Sequence, residues 1–393
     1  MTWIFSTSIF WRWIFWTSTF WTWTFWGATA LVAYTYFGYA GWLWLRTRWR
    51  RKEVRQGPYS PFVSVVMVVR NEERVLERKL QNLLTLDYPR EITQFVVVSD
   101  GSTDRTEAIL HEYASNPRVN VVLNQLSRGK ASGLNDALAL AQGDIVVFTD
   151  ARQKIEPGAL RLLLENFADP QVGCVSGELM LGDPKTGETG EGHGIYWRVE
   201  KRIRELEAAS GSVVGATGAL YAIRRNLLVP LPPETILDDV YLPMQVVRRG
   251  FRVVFDARAR AWDSADLRSE REFARKVRTL SGNYQLLQLA PWLLTSANPI
   301  RFEFVSHKLL RLMVPFALAG ILVASLVLRA PVYRLALALQ VAFYGLSFLA
   351  IAQLKRGPVA RMAHAAFTFV VLNTAAVVAF ANFVSGRKAA WIR

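Results

Sequence analysis

The sequence predicts an α/β domain, built on a mainly parallel sheet with helices on both faces, together with transmembrane α-helices. Two observations lead to this fold class. Apolar runs typical of buried strands alternate with helical patterns across residues 58–266. Long apolar segments lie outside that stretch, and clusters of Lys and Arg stand beside them, as they do on the cytoplasmic side of a membrane.

The composition is basic: 47 Lys and Arg residues against 32 Asp and Glu residues give a formal net charge of +15. A nucleic-acid-binding protein could carry such a charge, but the sequence has no aromatic-interleaved basic sheet, zinc pattern or basic recognition helix. We therefore expect no nucleic-acid partner and interpret the charge as a sign of membrane topology. The single cysteine, Cys174, excludes an internal disulfide framework and a cysteine-cluster metal site.

The N-terminal part of the chain is apolar and aromatic. Residues 1–23 lack the pattern of a cleavable signal peptide, and an interfacial segment, an extra span and a poorly ordered extension are three readings of them. Residues 24–45 are predicted to form a transmembrane helix, since this stretch is long enough to cross a bilayer and rich in Tyr and Trp. The basic run from Arg46 to Lys52 then places residues 58–266 in the cytoplasm.

Residues 58–266 alternate strand with helix. The predicted strands are FVSVVMVV, ITQFVVVS, VNVVL and DIVVFTD, with VGCVSGELML and GALYAIRR further on. Helices are predicted between the first four, and such a βαβ series implies right-handed crossovers. The first strand leads into VVRNEE rather than G-x-G-x-x-G, which argues against a dinucleotide cofactor.

After the α/β domain the chain returns to membrane patterns. Residues 267–300 are predicted to form an amphipathic interfacial region that suits the membrane surface. Residues 309–384 contain three long apolar stretches, which we interpret as three transmembrane helices. The lipid bilayer is therefore an expected partner of this chain.

Two acids stand at the ends of predicted strands. Asp100 ends the apolar run of FVVVSDGSTD, and Asp150 ends that of DIVVFTDAR. Because the carboxyl ends of parallel strands form the ligand-binding edge of an open sheet, these acids could bind a nucleoside or share Mg²⁺ or Mn²⁺. Each acid taken alone is equally consistent with an ordinary turn after a strand.

Two further pairs of charged residues suit phosphate and proton-transfer chemistry. Arg128 and Lys130 flank a glycine before a predicted helix, an arrangement that suits the phosphates of a nucleotide diphosphate. Asp238 and Asp239 stand at the start of another helix, where they could serve only its dipole. Alternatively, one of them could act as a general base, with its pKa raised by the charge of its neighbour.

The order of these motifs is specific. VVRNEE, VSDGSTD, GKASGLNDAL, FTDAR, DD-x-x-L and an R-x-x-R element followed by apolar spans stand in one sequence. This order resembles the membrane-bound family 2 glycosyltransferases, the group that includes the cellulose, chitin, hyaluronan and poly-β-1,6-N-acetylglucosamine synthases. The resemblance implies a GT-A fold that binds a nucleotide-activated sugar, usually a UDP-sugar, with Mg²⁺ or Mn²⁺ and inverts the anomeric centre.

Carried over position by position, the resemblance implies a donor site. Asn71 and Glu72 match the N-E that helps to seat the nucleobase, and Asp100 matches the acid that contacts the uridine. Lys130 matches the G-K element near the donor, and Asp150 matches the first acid of the metal-binding D-x-D.

The resemblance also implies the catalytic positions. Asp239, with Asp238 before it, matches the E-D pair whose second acid is the presumed base. Arg275 and Arg278 lie where the processive members have Q-x-x-R-W, and Arg278 could meet the departing diphosphate.

The chain departs from the family pattern at three places. Ala151 and Arg152 follow Asp150, so the D-x-D loses one expected carboxylate. Asp238 stands where the E-D pair has a longer Glu. Thr279 replaces the Trp whose ring supports the acceptor sugar in polymerising members, which makes polymer synthesis a weaker expectation than glycosyl transfer.

The function that this resemblance implies is inverting glycosyl transfer. A sugar would move from UDP-GlcNAc or UDP-glucose to a glycan or a lipid-linked acceptor, in exopolysaccharide or cell-envelope glycan synthesis. The expected location is the bacterial inner membrane, with several spans, a cytoplasmic catalytic domain and glycan-export or assembly subunits as partners. The alternative is a non-catalytic, nucleotide-binding membrane scaffold, which Arg152 in place of a metal-binding acid favours.

Overall fold

The structure, a computed structural model, describes residues 3–182, 194–263, 269–351 and 357–387. It divides into two compact units. The larger comprises Leu43–Val305 and Phe380–Arg393, and the smaller comprises Met1–Trp42 and Ser306–Ala379. The larger unit contains all the residues predicted to carry chemistry.

The larger unit is built around one eight-stranded sheet. Its strands are β1 (Val63–Val69), β2 (Thr93–Asp100), β3 (Val119–Asn124), β4 (Ile145–Phe148), β5 (Lys154–Ile155), β6 (Val172–Leu181), β7 (Tyr221–Arg224) and β8 (Arg252–Asp263). All six strands predicted from the sequence are confirmed, and β5 and β8 are additional.

Helices connect these strands. Those of the larger unit are α3 (Leu76–Leu84), α4 (Thr106–Tyr113), α5 (Lys130–Leu140), α6 (Ala159–Glu165), α7 (Gly194–Ser210), α8 (Asp238–Arg248), α9 (Ser269–Leu289) and the short α10 (Arg301–Phe304). A 3-10 turn at Pro291–Leu294 follows α9 within the region predicted to be interfacial.

The strand order is β3-β2-β1-β4-β7-β6-β8-β5. The first four positions are parallel, as the βαβ pattern predicts. The second half is mixed: β7 runs antiparallel to both β4 and β6, and β5 runs antiparallel to β8. The sheet is thus less parallel than expected, because an apolar run shows that a strand is buried but not which way it runs.

The core lies on both faces of the parallel half. Every residue of β1 and β2 is buried, as expected for strands that helices cover on both sides. The carboxyl ends of β1, β2 and β4 meet at one edge of the sheet, because these strands are parallel neighbours. That edge carries the segments after Val69, Asp100 and Phe148, and so positions the candidate site.

The smaller unit is helical. The chain begins with α1 (Trp3–Ala33), a π turn and α2 (Tyr39–Trp49), of which the last extends into the larger unit. The remaining helices are α11 (Leu310–Val327), α12 (Pro331–Ile351) and α13 (Pro358–Val384). Phe25 of α1 makes an edge-to-face contact with Tyr333 of α12, with ring centroids 4.8 Å apart.

Three helices in the described part of the chain are long and apolar enough to cross a membrane: Arg301–Val327, Pro331–Ala350 and Val359–Val384. They coincide with the three apolar stretches predicted within residues 309–384. The N-terminal span predicted at 24–45 lies in the run from α1 to α2, is not among these three, and stays a prediction.

Candidate active site

The turns that follow β1 and β2 are joined by side-chain hydrogen bonds. Asn71 adopts a left-handed backbone conformation with φ 54°, and its Oδ1 accepts a hydrogen bond from the Thr103 N–H at 2.8 Å. The Asn71 N–H donates to Ser102 Oγ at 3.2 Å, and the Glu72 N–H donates to Thr106 Oγ1 at 2.9 Å. The N-E pair therefore holds two neighbouring turns together at the sheet edge.

The carboxylate of Asp100 is buried and accepts three hydrogen bonds from one loop. Ser127 Oγ donates to Oδ2 at 2.7 Å, the Arg128 N–H to Oδ1 at 2.8 Å and the Gly129 N–H to Oδ2 at 3.0 Å. Gly101, at φ 63°, allows the close approach, since a Cβ there would lie 2.5 Å from the Ser127 nitrogen. Asp100 thus fixes the loop that leads into α5.

Lys130, the first residue of α5, lies between two carboxylates. Its Nζ is 3.0 Å from Asp150 Oδ1 and 3.1 Å from Asp238 Oδ1. Burial alone would lower the pKa of Lys130, but the charges of Asp150, Asp238 and Asp239 outweigh it and raise that pKa. Burial alone would raise the pKa of Asp150, but Lys130 lowers it below its ordinary value. Lys130 is therefore a fixed cation among three acids.

Asp238 is the buried member of its pair. Its Oδ2 accepts a hydrogen bond from the Tyr221 hydroxyl at 3.2 Å, while its Oδ1 faces Lys130. The Tyr221 ring stacks on Phe148 of the neighbouring strand, with centroids 4.5 Å apart and planes 4° from parallel. Burial, together with the nearby acids, raises the pKa of Tyr221, so its hydroxyl stays protonated and acts as a donor.

Asp239 is half-buried and lies beside Asp150. Its Oδ2 accepts a hydrogen bond from the Gly218 N–H at 3.1 Å, and its carbonyl accepts one from the Ala216 N–H at 2.7 Å. A Cβ added at Gly218 would lie 3.4 Å from Asp239 Oδ2 and 3.6 Å from Asp150 Oδ2. Gly218 therefore lies against both carboxylates.

The segment after Asp150 is held from two sides. Arg152 Nη1 lies 3.6 Å from Asp263 Oδ2, at the end of β8, and Gln153 Nε2 donates to the same oxygen at 2.9 Å. Lys79, buried on α3, donates to the Gln153 carbonyl at 2.7 Å and to Thr149 Oγ1 at 2.8 Å. The residue that replaces the second acid of the D-x-D is thus an ion-pair partner of Asp263.

Glu72 lies within electrostatic reach of this segment. Burial raises the pKa of Glu72, and the nearby Arg152 partly opposes that rise. The charges of Asp150, Asp104 and Asp263 add to it. The predicted nucleobase element and the predicted metal element therefore share one electrostatic environment.

Arg275 and Arg278 lie on α9, and both are half-buried. Arg275, Arg278, Gly282 and Gln285 are three or four residues apart in turn, so they lie on one face of the helix. Gln285 Oε1 accepts a hydrogen bond from the Ile236 N–H at 2.9 Å, close to Asp238 in the chain. In the described part of the chain neither arginine has a hydrogen-bond or ion-pair partner, so the structure does not join them directly to the acids.

The donor set at Asp150 suits a hard divalent cation that also binds phosphate. No group of three His, Cys, Asp or Glu side chains converges on a metal-binding point among the residues that the structure describes. Mg²⁺ and Mn²⁺ are commonly held by one or two carboxylates together with substrate phosphates. Asp150, whose side chain is 35% exposed, can supply one such ligand.

Sequence reasoning found the acids and Lys130 but missed three residues around them. Tyr221, Gly218 and Lys79 contact the site from a strand, a loop and a helix that carry no motif. Lys79 offered one signal, since it is a cation on the apolar face of an amphipathic helix.

The family described as "Glycosyl transferase family 2" matches residues 64–229. Beta-monoglucosyldiacylglycerol synthase of Synechocystis sp. is 29% identical over 202 residues, which is 50% of this chain and 42% of that protein. Poly-beta-1,6-N-acetyl-D-glucosamine synthase of Staphylococcus aureus is 24% identical over 230 residues, 57% of this chain and 55% of that protein. The chain thus matches about half the length of these curated relatives.

A solved structure resembles nearly the whole chain. It is a mannosyltransferase from Pyrobaculum calidifontis in complex with GDP-Man and Mn²⁺, 26% identical, with a TM-score of 0.71. The match covers 92% of this chain and 98% of that one. Together with the strand order, the motif order and the two curated relatives, it leads to one conclusion: the chain carries a family 2 glycosyltransferase domain of the GT-A fold.

Proposed function

We propose that the chain transfers a sugar, with inversion, from a nucleoside-diphosphate sugar to a glycan or lipid-linked acceptor at the membrane. The observation that supports this most strongly is the arrangement of Lys130 between Asp150 and Asp238, with Asp239 beside them. It provides a cation for phosphate, a carboxylate for a metal and a second carboxylate for a proton within one site.

The donor is proposed to be UDP-GlcNAc or UDP-glucose. The names of the two curated relatives contain glucosyl and N-acetylglucosamine groups, which supports these sugars. The loop that Asp100 holds presents Lys130 to the diphosphate, and Asn71 and Glu72 lie at the adjacent turn for the nucleobase. The related mannosyltransferase structure contains GDP-Man, so a GDP-sugar belongs in any test of the donor.

The proposed reaction is a direct displacement at the anomeric carbon. The acceptor hydroxyl oxygen forms a bond to that carbon while the bond from the carbon to the diphosphate oxygen breaks, and the proton of the hydroxyl passes to Asp239. Lys130 and Arg278 meet the negative charge that develops on the departing nucleoside diphosphate. A Mg²⁺ or Mn²⁺ ion held by Asp150 would supply further positive charge to the diphosphate.

Asp238 has a different proposed role from Asp239. Its two oxygens are engaged by Lys130 and by the Tyr221 hydroxyl, and its side chain is only 5% exposed. It therefore holds the cation and the start of α8, and does not reach an acceptor. Asp239 remains the proposed base, since it is the less buried member of the pair and lies near Asp150.

Two observations bear on the acceptor. The three candidate spans support a lipid-linked acceptor or a membrane path for a growing glycan. Thr279 in place of the ring-bearing residue of polymerising members favours transfer of one sugar to a lipid-linked acceptor. We further propose a multi-pass protein of the bacterial inner membrane with this domain in the cytoplasm and with glycan-export or assembly subunits as partners.

The test is nucleotide release by purified, detergent-solubilised protein. UDP-, GDP- and TDP-sugars are compared with and without Mn²⁺, and any product is sized. Release of UDP from one sugar nucleotide in the presence of metal is the expected result, with a single-sugar glycolipid as product. A long glycan would instead make the protein a synthase, and bound nucleotide without any release would favour the scaffold.

A further inference from the structure

The segment that precedes the two acids has an unusual composition. Residues 229–237, called here the proline segment, run VPLPPETIL and end at the residue before Asp238. Pro230, Pro232 and Pro233 have no amide hydrogen, so these three positions cannot donate backbone hydrogen bonds. Its position must therefore be fixed by contacts with other elements.

Two amide side chains supply those contacts. Asn135 accepts a hydrogen bond from the Leu231 N–H at 2.8 Å and donates to the Leu231 carbonyl at 2.8 Å. Gln285 accepts from the Ile236 N–H at 2.9 Å and donates to the Glu234 carbonyl at 2.8 Å. Each side chain thus pairs with the backbone both as donor and as acceptor, in the manner of a neighbouring strand.

The two amides come from different parts of the site. Asn135 lies on α5, the helix that begins with Lys130. Gln285 lies on α9, on the face that also carries Arg275 and Arg278. The proline segment therefore connects the helix that presents the donor cation with the helix that follows the catalytic domain.

Close packing strengthens the connection to α9. A Cβ added at Gly282 would lie 2.5 Å from Leu237 Cγ and 3.1 Å from Ile236 Cγ2, so the helix backbone touches the end of the proline segment. At the other end, a Cβ at Gly129 would lie 3.7 Å from the Pro233 carbonyl oxygen. The segment thus approaches the loop before Lys130 as well as α9.

The N-cap position of α8 makes no side-chain hydrogen bond to the helix. Leu237 occupies the N-cap position and has no side-chain acceptor for the first amides of the helix. The contacts of Asp238 and Asp239 themselves and those of the preceding segment therefore together set the location of the helix start.

We propose that Asn135 and Gln285 are positioning residues that clamp the proline segment and thereby set Asp239 relative to Lys130. This inference rests on the function proposed above, in which Asp239 takes the acceptor proton. Loss of a clamp displaces the base but leaves the donor loop, which Asp100 holds separately, in place. Sugar transfer then falls while nucleotide binding persists.

The experiment compares three variants of the full-length, detergent-solubilised protein. Gln285→Met removes both hydrogen bonds of the clamp, and Gln285→Glu keeps an acceptor for Ile236 but loses the donor to Glu234. Gln288→Met changes an exposed glutamine on the same helix and serves as the matched control. Amide hydrogen exchange across residues 229–240, UDP affinity, kcat and acceptor KM are measured for each.

The clamp predicts a graded result. Gln285→Met should speed amide exchange at Ile236 roughly fivefold or more, the loss expected from one hydrogen bond. It should lower kcat by about 10²-fold, the effect of displacing a catalytic group by about 1 Å. UDP affinity should be unchanged. The exchange rate and kcat of Gln285→Glu should lie between those of Gln285→Met and the wild type. Both quantities should be the same in Gln288→Met as in the wild type.

Other outcomes separate the two proposals. Exchange and kcat of Gln285→Met equal to those of Gln288→Met would overturn the clamp, as would a loss of UDP affinity parallel to the loss of kcat. A wild-type protein that binds UDP but releases none from any sugar nucleotide contradicts the proposed function. In that case, amide exchange that is faster in Gln285→Met but not in Gln288→Met would still show that Gln285 holds the proline segment in place.

Discussion

Asp100 ends strand β2 and Asp239 lies in the first turn of α8, and the molecule satisfies these two carboxylates in different ways. Asp100 is completely buried and accepts three hydrogen bonds, all from residues 127–129. Asp239 is half-buried and, like Asp150, lies close to Gly218, and its charge acts on Lys130. In the sequence, Asp100 follows an apolar run and Asp239 stands at the start of a predicted helix, and both patterns are typical of site residues as well as of ordinary turns and helix starts.

From this difference we propose that Asp100 organises the loop that it binds and that Asp239 takes part in the reaction. A carboxylate that is enclosed by amide and hydroxyl donors from one loop has little capacity left for a ligand, so its main effect is on the shape of that loop. A carboxylate that is only half-buried and lies among other charges can exchange a proton or bind a cation. Variants at the two positions should therefore separate stability from turnover.

The largest expected effect is at Asp239. Asp239→Asn keeps the size of the side chain but removes the proton acceptor, so kcat for sugar transfer should fall about 10³-fold, as is typical for loss of a general base. UDP affinity, measured by calorimetry, should stay within about twofold. Asp87→Asn, at a side chain that is 66% exposed, is the matched control and should leave turnover unchanged.

A variant that retained wild-type turnover would remove Asp239 as the base. The next candidate would be Asp150, whose carboxylate also lies close to Gly218.

The second effect concerns the cation between the acids. Lys130→Met leaves Asp150 and Asp238 without their shared partner, so UDP affinity should fall at least about tenfold, and stability should fall by about 3 kcal/mol. The stability change is measured by denaturant unfolding. Arg161→Met, which removes a surface cation 63% exposed, should change neither quantity. Unaltered UDP affinity in Lys130→Met would show that the phosphates lie elsewhere.

The third effect tests the organising role of Asp100. Asp100→Ala leaves the donors of Ser127, Arg128 and Gly129 without their acceptor inside the fold, and should lower stability by about 2 kcal/mol or more. Proteolysis or amide exchange of residues 126–130 should increase before global unfolding. If the loop stayed protected while UDP affinity alone was lost, Asp100 would be a ligand contact more than a loop anchor.

The sequence predicted this comparison only in part. Asp100 and Asp150 could be placed at one sheet edge because each ends an apolar run in a βαβ series, and parallel strands share their carboxyl edge. The contrast between Asp100 and Asp239 could not be predicted, because it depends on whether a loop folds back over the acid. The left-handed turn at Gly101 that permits this is a property of the backbone.

Pairings between distant segments were beyond sequence reasoning. Tyr221 lies on the antiparallel strand β7 and donates to Asp238, and no periodicity in the sequence encodes the direction of that strand. Gln285 meets Ile236 only because α9 packs against the proline segment. Neither contact belongs to a motif, since both depend on how whole elements pack and not on local spacing.

The smallest expected effect concerns Lys79, a buried lysine whose two hydrogen-bond acceptors are neutral. Burial lowers its pKa from an ordinary value of 10.5 to about 7, although Asp150 opposes that shift. Between pH 7 and 10.5 the unfolded chain therefore binds a proton that the folded protein does not, and stability should rise with pH across this window. Below pH 7 both states are protonated, so the contribution of Lys79 is constant there.

Lys79→Met removes this titration, so the stability of the variant should rise less than that of the wild type between pH 7 and pH 9. The measurement is the difference in denaturant midpoint between the two proteins at each pH, which cancels the groups they share. Lys154→Met, at an exposed residue of β5, is the control and should follow the wild type. If the midpoints of Lys79→Met and the wild type changed equally with pH, Lys79 would stay charged in the folded protein. The charge of Asp150 would then offset the effect of burial on the pKa of Lys79.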